Sequence, residues 1–305
     1  MRKEWTFTPS DCGSGRNMAA WEVSTGTQAT YLVEIAWPLT WRDTNASAVA
    51  NVIFAVDGNA MFLTATDVAR RQASLSPNKP GTIIVGLGYP LEDSVYAPQR
   101  ALDLTPPCDH YTPPEGSDGK PRPEPYGGAD RFLSFINNIV RPFMASSVFP
   151  NVKFARTALF GHSYGGLFTL NALFTQPTSF DTYIAASPSI WWNEKFILTK
   201  VTKFLQQPGM STRPTVRLSY GSREQFPVRR RREPLEKYER RVGSAAKRRM
   251  ADNCNDLYLQ LVASQHLGAV ERREYLDEDH GSVISPALSG GVLYFLDLED
   301  EASSL

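Results

Sequence analysis

The chain has 305 residues, 42% of them hydrophobic and 21% charged, an apolar content sufficient to bury a full core. Lys plus Arg and Asp plus Glu balance at 32 each, so no global field directs the molecule to nucleic acid or to a membrane. The basic start "MRKEW" leads into no apolar signal region, no apolar run approaches the ~18 residues of a membrane span, and the distant Cys12, Cys108 and Cys254 fit neither a disulfide framework nor a metal-ligand spacing. These features predict a cytoplasmic protein with reduced thiols, no metal and no cofactor.

The first patterned stretch, "AAWEVSTGTQATYLVEIAWPLTW", alternates around Ser24-Thr25-Gly26-Thr27 and predicts an antiparallel hairpin at a sheet edge. "NVIFAVDG" (51–58) and "GTIIVGLG" (81–88) have the unbroken apolar content of strands covered on both faces, with "LTATDVARRQASL" as the crossover helix between them. Residues 129–148 place Phe132, Phe135, Ile136 and Ile139 on one face of a helix. "VKFARTALFG", "FDTYIAASP" (180–188), "TVRLSYG" (215–221) and "VERREYLD" (270–277) supply further strands, and "SPALSGGVLYFLDL" a closing helix that Gly290 and Gly291 weaken. Strand and helix in alternation predict an α/β fold: a mostly parallel sheet, helices on both faces, and an N-terminal antiparallel hairpin, all in one domain over 1–305.

Two segments interrupt the pattern. Residues 90–128 are proline-rich and aperiodic, the signature of a functional or disordered loop insertion. The stretch from Arg223 to Ser264 is dense in Arg and Lys, above all over 229–249. It reads first as a solvated helix with Glu/Arg pairs, and second as a basic wall for an anionic or metal-chelating ligand. Its interleaved glutamates argue against a nucleic-acid patch.

"FARTALFGHSYGGLFTL" (154–170) sets Ser163 between small residues where a strand yields to a helix. A sharp strand–turn–helix elbow needs small residues two positions either side of its serine, lifts Oγ clear of the sheet, and aims it at a helix N-terminus. Ser163 is therefore the candidate nucleophile. A serine needs a base. Of the four histidines, His162 lies inside the elbow, His266 sits in a helical pattern, and His110 belongs to the long loop, where it could touch substrate. His280 follows the last strand, and the order Ser, acid, His fits. Glu224, just past Gly221, is the candidate acid; Asp277, Glu278 and Asp279 read as a solvated acidic loop, and Asp181 lies at the remote end of its strand. A Ser-His dyad remains the alternative. Backbone N–H groups near Gly58 and Asn59, joined by that of Tyr164, are the candidate oxyanion donors. Asp57 could simply fix their turn. Trp191, Trp192, Arg100 and His110 are candidate substrate contacts, with core packing as the competing role for the tryptophans and loop bracing for Arg100.

With these pieces placed, the chain resembles the esterase D-type branch of the α/β-hydrolases, and more closely the ferri-siderophore esterases. The matching stretches are "VDGNAMF", "IIVGLGYP", "RALDLTPP", "GHSYGGLF", "AASPSIWWN", "GSREQFPVRRRRE" and "DEDHGSV", in order from Val56 to Val283. Enterobactin and bacillibactin esterases share the general pattern, and "GSREQFPVRRRRE" resembles the fungal-type enzymes that open triacetylfusarinine C, a cyclic hydroxamate triester. The resemblance implies an α/β-hydrolase fold, Ser163 as nucleophile, His280 as base, and Glu224 at the acid position. It also implies a small-molecule ester substrate, a siderophore or its ferric complex. The competing activities are a generic carboxylesterase or thioesterase, an acyltransferase, and a non-catalytic binding relative.

Overall fold

The computed structural model describes residues 15–24, 30–115, 120–122, 124–207 and 212–302, with side chains as far as 298. The predicted hairpin turn over Ser24–Thr27 and Cys12 fall largely or wholly outside these residues. Eight strands form one sheet: β1 (Met18–Ser24), β2 (Thr30–Ala36), β3 (Ala48–Val56), β4 (Gly81–Gly88), β5 (Val152–His162), β6 (Thr182–Ala186), β7 (Thr215–Gly221) and β8 (Val270–Tyr275). Their order is β1-β2-β4-β3-β5-β6-β7-β8. β1 pairs antiparallel with β2, β2 antiparallel with β4, and every later pairing is parallel. The inner strands read as unbroken Val, Ile, Ala and Phe because helices cover both their faces; all five residues of β6 are buried. The edge strand β8, VERREY, carries four charged residues in six and is half exposed, which guards an open edge against further pairing.

The helices are α1 (Gly58–Leu75), α2 (Arg100–Asp103), α3 (Ala129–Phe135), α4 (Arg141–Phe143), α5 (Tyr164–Thr175), α6 (Trp192–Lys195), α7 (Ile197–Leu205), α8 (Leu235–Arg248), α9 (Met250–Leu261) and α10 (Ile284–Ala302). On one face of the sheet α1 and α10 close a core around Ile53, Phe62, Phe160, Ile184 and Phe295. On the other, α3, α5, α7 and α9 close a larger one. α10 runs unbroken through Gly290 and Gly291, and close approach explains them. A Cβ on Gly291 would lie 2.7 Å from Ile184 Cγ2, and one on Gly290 2.3 Å from the Tyr275 hydroxyl. None of the helices among the described residues is long and apolar enough to cross a membrane.

The helix expected over 129–148 forms, with a corrected face. Phe132, Ile136, Val140, Met144 and Val148 are buried, whereas Ile139 is 49% exposed. A four-residue spacing drifts by about 40° per repeat on a 3.6-residue helix. Two wide π turns, Ile136–Val140 and Met144–Val148, wind the chain back and keep that stripe on the core.

The chain runs from β3 outward to β4 and then returns to place β5 on the other side of β3. This reversal opens a crevice at the carboxyl ends of β3 and β5, the place where open α/β sheets bind ligands. The described part of the 90–128 segment is packed down beside it. Asp103 is fully buried and accepts hydrogen bonds from the Tyr89 hydroxyl (3.2 Å) and Gln99 Nε2 (3.0 Å). Tyr111 stacks on Tyr126 at 3.9 Å and on Trp192 at 5.5 Å, so Trp192 holds the segment to the core. Trp192→Ala is expected to lower stability by about 3–5 kcal/mol, the usual cost of deleting a buried large aromatic. Urea unfolding checks this, and a loss below about 1 kcal/mol would show that the loop is held elsewhere.

Candidate active site

Ser163 joins β5 to α5 at φ 60° and ψ −115°. Glycine is the only residue type that fits on either side. A Cβ on Gly161 would fall 2.1 Å from the Gly165 carbonyl oxygen, and one on Gly165 would fall 2.8 Å from Val56 Cγ2. The Ser163 N–H donates to the Ala186 carbonyl (3.0 Å), while the Ser163 carbonyl accepts from Leu167 (3.0 Å) and Ser189 (3.1 Å). These bonds pin the elbow to the ends of β6 and α5.

Three separated residues then meet. His280 Nε2 lies 3.0 Å from Ser163 Oγ, and its Nδ1 lies 2.5 Å from Glu224 Oε2. The Glu224 side chain is 1% exposed, and its Oε1 accepts from Ser187 Oγ (2.6 Å) and the Gly221 N–H (2.7 Å). A carboxylate fixed this way sets both the imidazole orientation and the tautomer that leaves Nε2 free to take a proton. The alternative acids are engaged elsewhere. Asp181, just before β6, accepts from the N–H and hydroxyl of Thr157 in the middle of β5, away from the carboxyl ends of the strands. Asp277 pairs with Arg223 at 2.8 Å and Asp279 with Arg230, so this loop is tied to the arginine segment rather than merely solvated.

α1 begins at Gly58 after Asp57, which takes the left-handed conformation (φ 56°, ψ 45°). The first N–H groups of a helix lack intrahelical partners, and the helix dipole adds positive potential there. Gly58 and Asn59 open α1 and Tyr164 opens α5, so their N–H groups are among those that a helix start leaves without an intrahelical acceptor. The Asn59 side chain is bound to the Tyr89 backbone in both directions (2.8 and 2.9 Å), which leaves only its main chain for an oxyanion. Arg100 grips Asp57 with both nitrogens (2.7 and 2.8 Å) and lies 5.2 Å from the Tyr96 ring and 5.4 Å from the Tyr164 ring. Of the two roles open to Arg100, bracing is the one these contacts describe. Burial pushes the Tyr164 hydroxyl up to about 12.

The tryptophans part company. Trp192 is fully buried, so its ring cannot pack on a ligand; the core reading describes it. Trp191 is half-buried, 6.4 Å from the Tyr164 ring, with the Arg248 guanidinium 4.7 Å from its own. His110 is exposed, and its carbonyl is held by Asn193 Nδ2 at 2.8 Å. His266 packs edge-on against Phe204 and contacts the Leu205 carbonyl, away from the crevice. α8 buries only Ala245 and is largely a solvated helix, yet Arg230, Arg241 and Arg248 also line a cavity of about 180 Å³ beside His280. Both readings of the arginine segment thus describe part of it. Sequence reasoning missed Ser187, Ser189 and Asn193. They lie in "AASPSIWWN", where Ser187 and Asn193 have positive φ, at 43° and 45°, a conformation that only the folded chain shows.

A family model described as "Putative esterase" matches residues 31–267. A "Siderophore enterobactin esterase" of Emericella nidulans is 55% identical over 96% of this chain and 98% of its own. A "Siderophore triacetylfusarinine C esterase" of Aspergillus fumigatus is 46% identical over 88% and 89%. Among solved structures, siderophore hydrolase EstA from Aspergillus nidulans superposes with a TM-score of 0.94 at 55% identity, covering 97% of this chain and 99% of that one.

His162, inside the elbow, is buried with its ring 4.7 Å from that of His280. Burial, then the neighbouring His280 and Arg100, lower its pKa well below the usual imidazole value, against a hydrogen bond with the His280 backbone. The unfolded chain protonates this residue near pH 6.5, while the native chain excludes the proton until lower pH. Stability should therefore fall as pH drops below about 6.5, by up to about 1.4 kcal/mol per unit from this residue. His162→Asn should flatten the dependence of urea midpoints between pH 6.5 and 5. Coincident slopes in the two proteins would refute the assignment.

Proposed function

We propose a function from the premise that the chain belongs to this esterase family: it is a serine esterase that cleaves the ester bonds of a siderophore through an acyl-enzyme. The observation that carries the reading is the hydrogen-bonded series Glu224–His280–Ser163 at 2.5 and 3.0 Å on a strained elbow. His280 takes the Ser163 proton as Oγ attacks the ester carbonyl. Glu224 holds the imidazole and offsets the charge it gains. The oxyanion rests on the N–H groups of Tyr164 and of Gly58 and Asn59, which act most strongly where the charge develops. His280 then protonates the departing alcohol, and water, activated by the same imidazole, releases the acid.

The substrate class follows from the relatives. One is named for a catecholate triester and the other for a hydroxamate triester, and the chain is more alike to the first, at 55% against 46% identity. Both cyclic triesters are therefore candidates, and the half-exposed His280 suits a bulky substrate. Opening such a ring in the cytoplasm weakens its hold on ferric ion and frees the iron; this belongs to the same proposal.

Incubation with enterobactin and triacetylfusarinine C, each iron-loaded and iron-free, should yield linear ester fragments by mass spectrometry. Indifference to all four, with rapid turnover of simple acyl esters, would favour a general carboxylesterase. Ser163→Ala should lower kcat by about 10⁴–10⁶ and Glu224→Gln by a smaller factor, with KM little changed in both. A Ser163→Ala protein that kept near-full activity would end this account, and a Glu224→Gln protein that did so would reduce the site to a Ser-His dyad.

A further inference from the structure

Four arginines line the cavity beside His280: Arg223, Arg230, Arg241 and Arg248. Three are committed. Arg223 pairs with Asp277 at 2.8 Å, Arg230 with Asp279, and Arg241 with Glu233 at 2.8 Å. Arg248 differs. Among the described residues no carboxylate lies within ion-pair distance of it and no acceptor takes a hydrogen bond from its side chain; its recorded partner is the Trp191 ring at 4.7 Å. Glu224 acts on it electrostatically but spends its own oxygens on His280, Ser187 and Gly221.

A ring face attracts a guanidinium without accepting its N–H bonds in the paired geometry of a carboxylate, so the planar fork is left unanswered. Burial lowers the pKa of this group, yet an arginine stays charged in any folded protein. A half-buried cation that no carboxylate of the described residues pairs with, in a cavity shared with the proposed base, is arranged to receive an anion. Ester hydrolysis itself makes one. A cyclic triester opened at one bond carries a carboxylate on a chain that still holds two esters.

We propose that Arg248 binds a carboxylate carried by the ester substrate or by the released acid, and so sets a preference for acidic, partly hydrolysed esters. The proposal rests on the esterase reading above and adds to it a residue that determines specificity.

Two probes separate the sources. In the substrate arm, p-nitrophenyl hydrogen adipate and p-nitrophenyl methyl adipate differ only in the free carboxylate. The acidic-to-neutral ratio of kcat/KM should fall about tenfold in Arg248→Gln, the scale of a hydrogen bond between charged groups, and less in Arg248→Lys, which keeps charge without the fork. In the product arm, calorimetric titration of adipate into Ser163→Ala protein, with and without Arg248→Gln, should show Kd rising by a similar factor. A fall in the ratio alone assigns the site to the substrate carboxylate, and a rise in Kd alone assigns it to the product. An unchanged ratio together with an unchanged Kd overturns the proposal. Where Arg248→Gln does not fold, Arg248→Lys and the loss of the wild-type preference at ~0.5 M salt decide it. If neither ester is cleaved the esterase reading fails, while the calorimetry, which needs no turnover, still judges Arg248.

Discussion

Ser163 occupies a backbone conformation that costs a residue with a side chain about 1–3 kcal/mol, so it persists only where its surroundings fix it from several sides. Here they do. Ala186 and Ser189 bind the Ser163 main chain, and Gly161 and Gly165 approach each other more closely than any Cβ would allow. Ser187, between them at φ 43°, turns its hydroxyl onto Glu224, the carboxylate that holds His280. The last residue of β6 and the turn that follows it thus clamp the elbow and hold Glu224 together. Disturbing that short turn would displace Ser163 and, through Glu224, His280 at once.

The opposite wall obeys the same logic. Asp57 takes a left-handed conformation, and Arg100, reaching from the long proline-rich segment, grips both of its oxygens. Asn59 is locked to Tyr89 at the end of β4. Donors for a developing negative charge help most when they need no reorganisation, and these contacts fix the start of α1 before any substrate arrives. The described part of the 90–128 segment is thereby tied down at two places: Arg100 braces the start of α1, and Tyr111 stacks on Trp192.

The strands of the sheet were legible because burial on both faces writes itself as unbroken apolar runs, and Ser163 because an elbow admits few residue types. Glu224 followed from chain order and its place just past a strand end, while Asp277 and Asp279 read only as a solvated loop beside His280; the folded structure shows those two engaged by Arg223 and Arg230. The 129–148 face went astray at Ile139 because π turns leave no mark in a 3.6-residue pattern. Adjacent tryptophans cannot be told apart by sequence. Which one faced the core was settled by Trp192 lying over Tyr111, a partner 81 positions away, and pairings of that kind are what a linear reading lacks.

An arginine run beside the proposed base poses an electrostatic difficulty that the fold resolves by pairing. The proposed acyl transfer passes through an imidazolium on His280, and a bare cluster of guanidinium groups would repel it. Asp277, Asp279 and Glu233 instead cancel three of these charges at short range. Ion pairs at a surface contribute little to stability, but they shape the local potential, and here they leave Glu224 free to answer His280. Of the four arginines that line the cavity, three are therefore neutralised at short range. Against them the single arginine without a carboxylate partner, Arg248 over Trp191, is the one cation of the four whose field reaches the cavity uncancelled by a pair.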